Sequence, residues 1–244
     1  MKWGSQGYSL TKELKYARLS GRVEDFSGKP LKEALVFITK NRMGMAGQSD
    51  ASIAISDEEG RYEIVLPKGF YKGDNFVILR NWGMETLENY FLELDLHEDR
   101  ELDFRIDQVE VAFLAPTIIR DNRTFSLRFV CWSIHGSTLP YFRTLEEGES
   151  ADLSEARFIP PLKQEEVEVL IDDAPAEIVA FASVPVQNIT GQLTPGWYID
   201  GIAPSSIGPG THILKVVVHH QSKDLNGQHV EEHGQAQYCD MRWS

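Results

Sequence analysis

Histidines are concentrated near the end of the chain, where they could bind a metal ion. Of the seven histidines in the sequence, five lie in one segment: His212, His219, His220, His229 and His233. Asn226-Gly227 in this segment favours a two-residue hairpin loop. Such a loop would place His220 opposite His233, and Asp224 opposite His229. Imidazole and carboxylate groups in this arrangement are suitable ligands for Zn, Ni or Cu, so a metal site is one hypothesis.

An ordinary exposed hairpin is the competing explanation for these histidines. A shift of one residue in strand register moves every side chain to the other face of the sheet, and it would separate His220 from His233. The acidic segment Asp57-Glu-Glu-Gly60 presents a similar choice, because its oxygens could bind calcium. It lacks the alternating acidic ligands of a calcium loop, and a β-turn in which Gly60 adopts positive φ explains it better.

Exposed aromatic residues could instead stack on the faces of sugar rings. Four candidates lie in or beside polar segments: Trp82, Trp132, Tyr141 and Phe142. Aromatic faces near Asn, Asp and Arg side chains are typical of sites for neutral sugars. The alternative is that Trp132 and Trp197 pack inside a β-sandwich core, where aromatic residues are common.

The two cysteines, Cys131 and Cys239, do not indicate catalysis or a zinc site. They do not form a Cys-x-x-Cys pair. Each alternates in phase with apolar residues, so both thiols are expected to face inward, either as one disulfide or as two buried thiols. Gly-x-Ser-x-Gly and His-Glu-x-x-His motifs are also absent. We therefore predict no catalytic residue and no cofactor other than the divalent metal of the first hypothesis.

Composition and charge limit the class of partner. The chain has 244 residues, enough for two domains, and its formal net charge is −13, which disfavours nucleic acid and anionic lipid surfaces. No apolar run of about 18–20 residues predicts a transmembrane helix. The first residues lack the apolar core of a signal peptide. The protein is therefore expected either to be cytoplasmic, or to be extracellular, at the cell surface or periplasmic after removal of a signal.

Short alternating segments between residues 17 and 107 predict an all-β fold. Leu19, Gly21 and Val23 alternate with polar residues, and similar patterns recur at 61–66, 92–97 and 102–107. About six or seven such strands, separated by turn residues, are typical of a β-sandwich. Residues 1–16 are polar and irregular, and we expect them to form a tail or an edge strand.

Residues 17–72 resemble the carboxypeptidase regulatory-like domain, a transthyretin-like β-sandwich. The resemblance rests on these segments: Gly21-x-Val23-x-Asp25-x-x-Gly28-x-Pro30-Leu31, Ala34-x-Val36, Asp57-x-x-Gly60-x-Tyr62-x-Ile64 and Pro67-x-Gly69-x-Tyr71. The sequence departs from the family at Glu33, where Gly is usual, and at Ser56, where Thr is usual. Because the shared motifs are structural turns, the resemblance implies a non-catalytic module of a secreted or surface protein.

Residues 108–244 predict a second sandwich, of immunoglobulin-like or fibronectin-like type. Apolar alternation recurs around 125–131, 167–171 and 213–220, and the turn at 208–212 precedes the last of these segments. We therefore expect two tandem sandwich domains, at 17–107 and 108–244.

These expectations favour a structural or interaction module that binds a protein or a glycan. Loops on a rigid sandwich commonly carry binding function, and the longest candidate loops lie at 41–52 and 138–161. Two alternatives stay open. One is a metal-binding protein or metal-dependent enzyme that uses the histidine-rich hairpin, and the other is a carbohydrate-binding module. Exposed edge strands would permit dimers, but nothing in the sequence determines the oligomeric state.

Overall fold

The structure is a computed structural model that describes residues 15–40, 51–73, 75–119, 123–135, 161–187, 193–224 and 226–243. These residues form β-strands joined by turns, with a short 3-10 helix at Gln164–Glu166. The predicted all-β sandwich fold is confirmed. Within these ranges, no helix is long and apolar enough to cross a membrane.

The strands follow the alternating segments of the sequence. The first ten are β1 (Tyr16–Glu24), β2 (Leu35–Ile38), β3 (Ser52–Ile55), β4 (Arg61–Pro67), β5 (Gly69–Tyr71), β6 (Asn75–Ile78), β7 (Asn89–Leu92), β8 (Leu94–Leu96), β9 (Arg100–Glu101) and β10 (Phe104–Arg105). The others are β11 (Val109–Ile119), β12 (Thr124–Ser133), β13 (Val167–Ile171), β14 (Ala174–Pro175), β15 (Glu177–Gln187), β16 (Leu193–Ile202), β17 (Gly210–Lys223) and β18 (His229–Trp243).

The first sandwich encloses one hydrophobic core between two layers. In one layer, β1 pairs antiparallel with β4 and parallel with β9 and β10. In the other, β2 lies between β3 and β6, and β6 pairs with β7. Ala17, Leu19 and Val23 of β1 are buried between the layers, as a period of two predicts. Phe91 and Phe104 pack beside them with ring centroids 4.7 Å apart.

The second sandwich packs the strand set β14-β13-β17-β18 against the set β11-β12-β16-β15. Strands β17 and β18 form a long antiparallel hairpin, and β13 pairs with the other edge of β17. The enclosed core contains Phe125, Phe129, Trp197 and Trp243. Phe181 of the edge strand β15 stacks on Trp197 at a centroid distance of 5.2 Å, which extends the core to that edge.

Strand β18 contributes to both sandwiches. It pairs antiparallel with β17 and parallel with β7 of the first sandwich. Ala236 and Met241 are buried in the second core, whereas Cys239 is buried in the first. The buried apolar residues of the first core all precede Val109 in the sequence, except Cys239. Those of the second core all follow Ile106. The domain division at 107/108 stays a prediction, because the sheet itself is continuous through β7, β11 and β18.

Three turns in the described ranges share the pattern Asp-x-x-Gly, at 25–28, 57–60 and 224–227. In each turn the aspartate carboxylate accepts hydrogen bonds from the backbone N–H groups two and four residues later. The glycines have φ values of 84°, 72° and 79°, in the left-handed region that favours glycine. The acidic segment at 57–60 is therefore a β-turn in which the aspartate carboxylate accepts backbone hydrogen bonds.

Candidate functional site

Trp82 is an exposed aromatic residue in a tight turn between β6 and β7. The residue is 51% exposed, and its indole Nε1 donates a hydrogen bond to Oε2 of Glu88. Within the turn, Thr86 Oγ1 donates to Asn81 Oδ1 at 3.0 Å, and Asn81 Nδ2 donates to Glu85 Oε2 at 2.6 Å. These side-chain bonds fix the turn, so the indole ring is presented to solvent in a defined orientation.

Glu88 connects Trp82 to the sheet. Its second carboxylate oxygen accepts a hydrogen bond of 3.2 Å from the Tyr90 hydroxyl, and its carboxyl group is hydrogen-bonded to Glu110 of β11. Burial raises the pKa of Glu110 well above its usual value, and the charge of Glu88 and their shared hydrogen bond raise it further. The pair therefore keeps one proton at pH values where two separate carboxyl groups would both be ionised.

Trp132 lies on the other side of this carboxyl pair. It is the register partner of Glu110 in the β11–β12 ladder, and directly opposed residues of neighbouring strands place their side chains on one face. Trp132 is half-buried and packs against Leu87 and Ile134. We call Trp82, Glu88, Tyr90, Glu110 and Trp132 the Trp82 patch.

A row of aromatic rings leads from the Trp82 patch across the first sandwich. Phe37 of β2 and Phe76 of β6 are register partners with centroids 4.7 Å apart, and Phe76 lies opposite Tyr90 with centroids 6.0 Å apart. The alternate residues of β2 and β6, Val36 and Val77, are buried in the first core. The row therefore lies on the face that points away from that core, and its three rings are half-buried.

The Trp82 patch joins an apolar ring surface to hydrogen-bonding oxygens, which suits binding better than glycoside hydrolysis. Glycosidases hold their two carboxyl groups about 5 Å or more apart, so that the sugar and water fit between them. Glu88 and Glu110 are in direct hydrogen-bond contact. The pair consequently leaves no room for a glycosidic bond between its members.

Of the four predicted aromatic residues, Trp82 and Trp132 are connected only through the Glu88–Glu110 pair. Trp132 and Trp197 were also offered by the sequence as core residues: Trp197 is buried in the second core, and the half-buried Trp132 packs against it. Tyr141 and Phe142 lie outside the described residues, as do 41–50 and 136–160, which include most of the two predicted binding loops.

Sequence reasoning missed the carboxyl pair. Glu110 alternates with Val109 and Val111 as any outward-facing strand residue would, and Glu88 precedes a strand in an acidic, polar segment. Their contact depends on the pairing of β7 with β11, which no local pattern reveals.

The predicted pairing of histidines across the C-terminal hairpin is wrong by one residue. In the structure His219, not His220, lies opposite His233. The cause is the loop, because Asp224 N–H donates to Gln228 O and makes a three-residue loop in place of the expected two.

The predicted metal ligands therefore do not converge. His220 is buried with its Nδ1 3.0 Å from Oε1 of Glu166, and His229 is exposed opposite Lys223. The Asp224 carboxylate accepts backbone N–H groups of its own loop. Among the residues that the structure describes, no group of three or more His, Cys, Asp or Glu side chains could hold a metal ion. The hairpin geometry thus does not bring His220, His229, His233 and Asp224 together.

Cys131 and Cys239 are free thiols in different cores. Of the two alternatives drawn from the sequence, the structure has two buried thiols and no disulfide between them. Burial raises the pKa of both, that of Cys239 to about 12. Neither thiol therefore has the thiolate character that a nucleophile or metal ligand needs.

A surface cleft of about 290 Å³ lies elsewhere on the protein, lined by Asp95, His97, Glu98, Arg100 and Thr211. Three of its charged residues, Asp95, His97 and Arg100, already have partners within the protein. Arg100 donates to the carbonyl oxygens of Asp95 and Cys239 at 3.2 and 2.7 Å, and His97 Nδ1 contacts the Asp95 carboxylate. We therefore assign the candidate site to the Trp82 patch.

No family model and no curated protein matches the chain, so the resemblance of residues 17–72 to the carboxypeptidase regulatory-like domain stays a prediction. Solved structures give weak likenesses. A DUF3823 family protein from Parabacteroides merdae is 10% identical with a TM-score of 0.30, and the match covers 93% of this chain and 100% of that one. A candidate carbohydrate-binding protein from Bacteroides uniformis is 9% identical with a TM-score of 0.26, over 91% and 98% of the two chains.

The major pilin subunit of Bacillus cereus is likewise 9% identical with a TM-score of 0.26, and 70% of its chain is covered, against 93% of this one. At such identities and TM-scores these likenesses support no conclusion about function. Function is therefore inferred from the geometry of the chain itself.

Proposed function

We propose that the protein is a non-catalytic binding module that binds a neutral oligosaccharide at the Trp82 patch. The observation that supports this most directly is the exposed Trp82 ring, held by the hydrogen bond from its indole N–H to Glu88. One face of a sugar ring carries C–H groups that pack on an aromatic surface, while its hydroxyl groups need donors and acceptors nearby. The Trp82 patch supplies both kinds of contact.

The charge of the Trp82 patch favours a neutral ligand over an anionic one. Glu88 and Glu110 present carboxyl oxygens that accept hydrogen bonds from hydroxyl groups. The net charge of −13 also repels anions. An uncharged glycan therefore suits this surface better than a sulfated or phosphorylated one.

Pre-organisation supports the same proposal. The bonds of Asn81 with Glu85 and Thr86, and that of Trp82 with Glu88, already hold the turn in place. Binding to a surface that is already ordered avoids the free-energy cost of immobilising side chains and loops. The row of Phe37, Phe76 and Tyr90 extends the aromatic surface beyond the Trp82 patch, which favours a ligand of several sugar units.

The proposal includes the resemblance of residues 17–72 to a carboxypeptidase regulatory-like module of a secreted or surface protein. This resemblance is supported by the motif residues Asp25 and Asp57, whose carboxylates accept backbone N–H groups of their own turns. These aspartates therefore stabilise turns and have no catalytic part in the proposal. A location outside the cell would bring the Trp82 patch into contact with free or surface glycans.

The test is calorimetric titration with a panel of neutral oligosaccharides of differing linkage. We expect at least one to bind the wild type, and Trp82→Ala to weaken that binding at least tenfold. Met84→Ala is the matched control, because Met84 is 67% exposed in the same turn but has no aromatic ring. The proposal fails if no neutral oligosaccharide binds, or if Trp82→Ala binds as tightly as Met84→Ala.

A further inference from the structure

His219 and His233 lie opposite each other on β17 and β18, with their Nδ1 atoms 2.9 Å apart. Two ring nitrogens at this distance share one proton, with one ring as donor and the other as acceptor. The rings meet edge to face, with centroids 5.0 Å apart, and Phe26 stacks on His233 at 5.0 Å. The two imidazoles thus converge on one point, and Phe26, from a turn of the first sandwich, fixes their position.

Acidic side chains approach this pair from several elements. Oε1 of Glu168 on β13 lies 3.8 Å from Nε2 of His219, and Oδ2 of Asp107 accepts the backbone N–H of His233 at 3.3 Å. Glu231 on β18 also acts on His233 through its negative charge. Positive charge beside the two rings would be stabilised by all three carboxylates.

We propose that His219 and His233 bind one divalent transition-metal ion of the class that prefers imidazole, such as Zn²⁺, Ni²⁺ or Cu²⁺, through their Nδ1 atoms. Tetrahedral zinc holds each nitrogen at about 2.0–2.1 Å, which puts the two nitrogens about 3.3 Å apart. To bind the ion, the rings would have to separate by a few tenths of an ångström and turn so that both Nδ1 lone pairs point at it. Water molecules complete the coordination, and Asp107 supplies negative charge beside the ion.

The tautomers available to the two neutral rings are compatible with this site. The Glu168 carboxylate favours the tautomer of His219 that carries its proton on Nε2, which leaves Nδ1 free to bind the ion. His233 changes tautomer as the ion binds, with the proton leaving Nδ1 for solvent and another joining Nε2. The neutral pair therefore binds the metal without net release of a proton.

The experiment titrates full-length, tag-free protein with zinc chloride and follows heat and melting temperature. We expect one ion per chain, a melting temperature that rises with zinc concentration, and at least tenfold weaker binding in His219→Ala and in His233→Ala. His229→Ala is the control, because His229 is exposed on the same hairpin, and it should bind zinc as the wild type does.

Circular dichroism establishes that each variant is folded, and His219→Gln replaces His219→Ala if the alanine variant is not. Zinc affinity that survives the double replacement of His219 and His233, or that falls equally in His229→Ala, overturns the proposal. Absence of zinc, nickel and copper binding in the wild type overturns it as well. Trp82→Ala should leave zinc binding unchanged, so this result is independent of the glycan proposal.

Discussion

Ser133 Oγ donates a hydrogen bond of 2.5 Å to Oε2 of Glu232, whose side chain is fully buried. The other carboxylate oxygen accepts the backbone N–H of His135 at 2.8 Å. Glu232 lies on β18, whereas Ser133 ends β12, so this contact joins the two layers of the second sandwich. A buried carboxylate is tolerated because these donors replace the hydrogen bonds of water.

Replacement of Glu232 should therefore destabilise the protein strongly. Glu232→Ala removes the acceptor of two buried donors and leaves a cavity, and we expect a loss of about 3 kcal/mol in the free energy of unfolding. Urea unfolding measures this loss. Glu231→Ala, at the exposed neighbouring position, should change stability by less than about 0.5 kcal/mol. Equal effects of the two replacements would contradict the structural role of Glu232.

Asp107 should make stability depend on pH. Its pKa is about 6 in the folded protein, against 3.8 for an ordinary aspartate, and burial is the main cause. The folded state thus holds this proton more tightly than the unfolded state, so its contribution to stability is complete below about pH 4 and is lost as the pH rises through 6. Allowing for the part of the side chain open to solvent, we expect the loss to be about 1–2 kcal/mol.

Urea unfolding across this pH range checks the expectation, and Asp107→Asn should flatten the profile. Glu110, whose pKa is also raised by burial, acts in the same direction and leaves some slope in this variant. Glu165→Gln alters an exposed acid and should keep the wild-type profile. An unchanged slope in Asp107→Asn would show that the proton belongs to another group.

Gly21 should tolerate no side chain. A Cβ atom at this position would overlap the carbonyl group of Leu102, where the chain passes close to β1. We expect Gly21→Ala to lower the free energy of unfolding by about 3 kcal/mol or to prevent folding. Gly28→Ala is the comparison, because the space around Gly28 is open and only its φ of 84° opposes a side chain. In Gly28→Ala the free energy of unfolding should fall by about 1–2 kcal/mol. Melting temperatures distinguish the two variants.

The thiols of Cys131 and Cys239 should be unreactive in the native protein. Both are buried with raised pKa values, and a thiol reagent attacks the thiolate. We expect no labelling under native conditions and labelling of both cysteines in concentrated guanidinium, with an intact mass that reduction does not change. Rapid native labelling, or a mass gain on reduction, would contradict the buried free thiols.

Strands could be predicted from the sequence because their period of two is local. Tyr62 and Leu66 of β4 are buried in the phase that the alternation indicates. The histidine register could not be predicted reliably, because it depends on whether the hairpin loop has two residues, Asn226-Gly227, or three. The contact of Glu88 with Glu110 was beyond local patterns altogether, since it requires β7 to meet β11.

Strand β18 also has a consequence for synthesis of the protein. The first core includes Cys239, and β7 has β18 as a neighbour, yet β18 begins only at His229. A nascent chain that has released β1 to β10 from the ribosome therefore has an incomplete first core and an open sheet edge at β7. Because that edge can pair with other chains until β18 arrives, the growing polypeptide should depend on chaperones until its last strand has emerged.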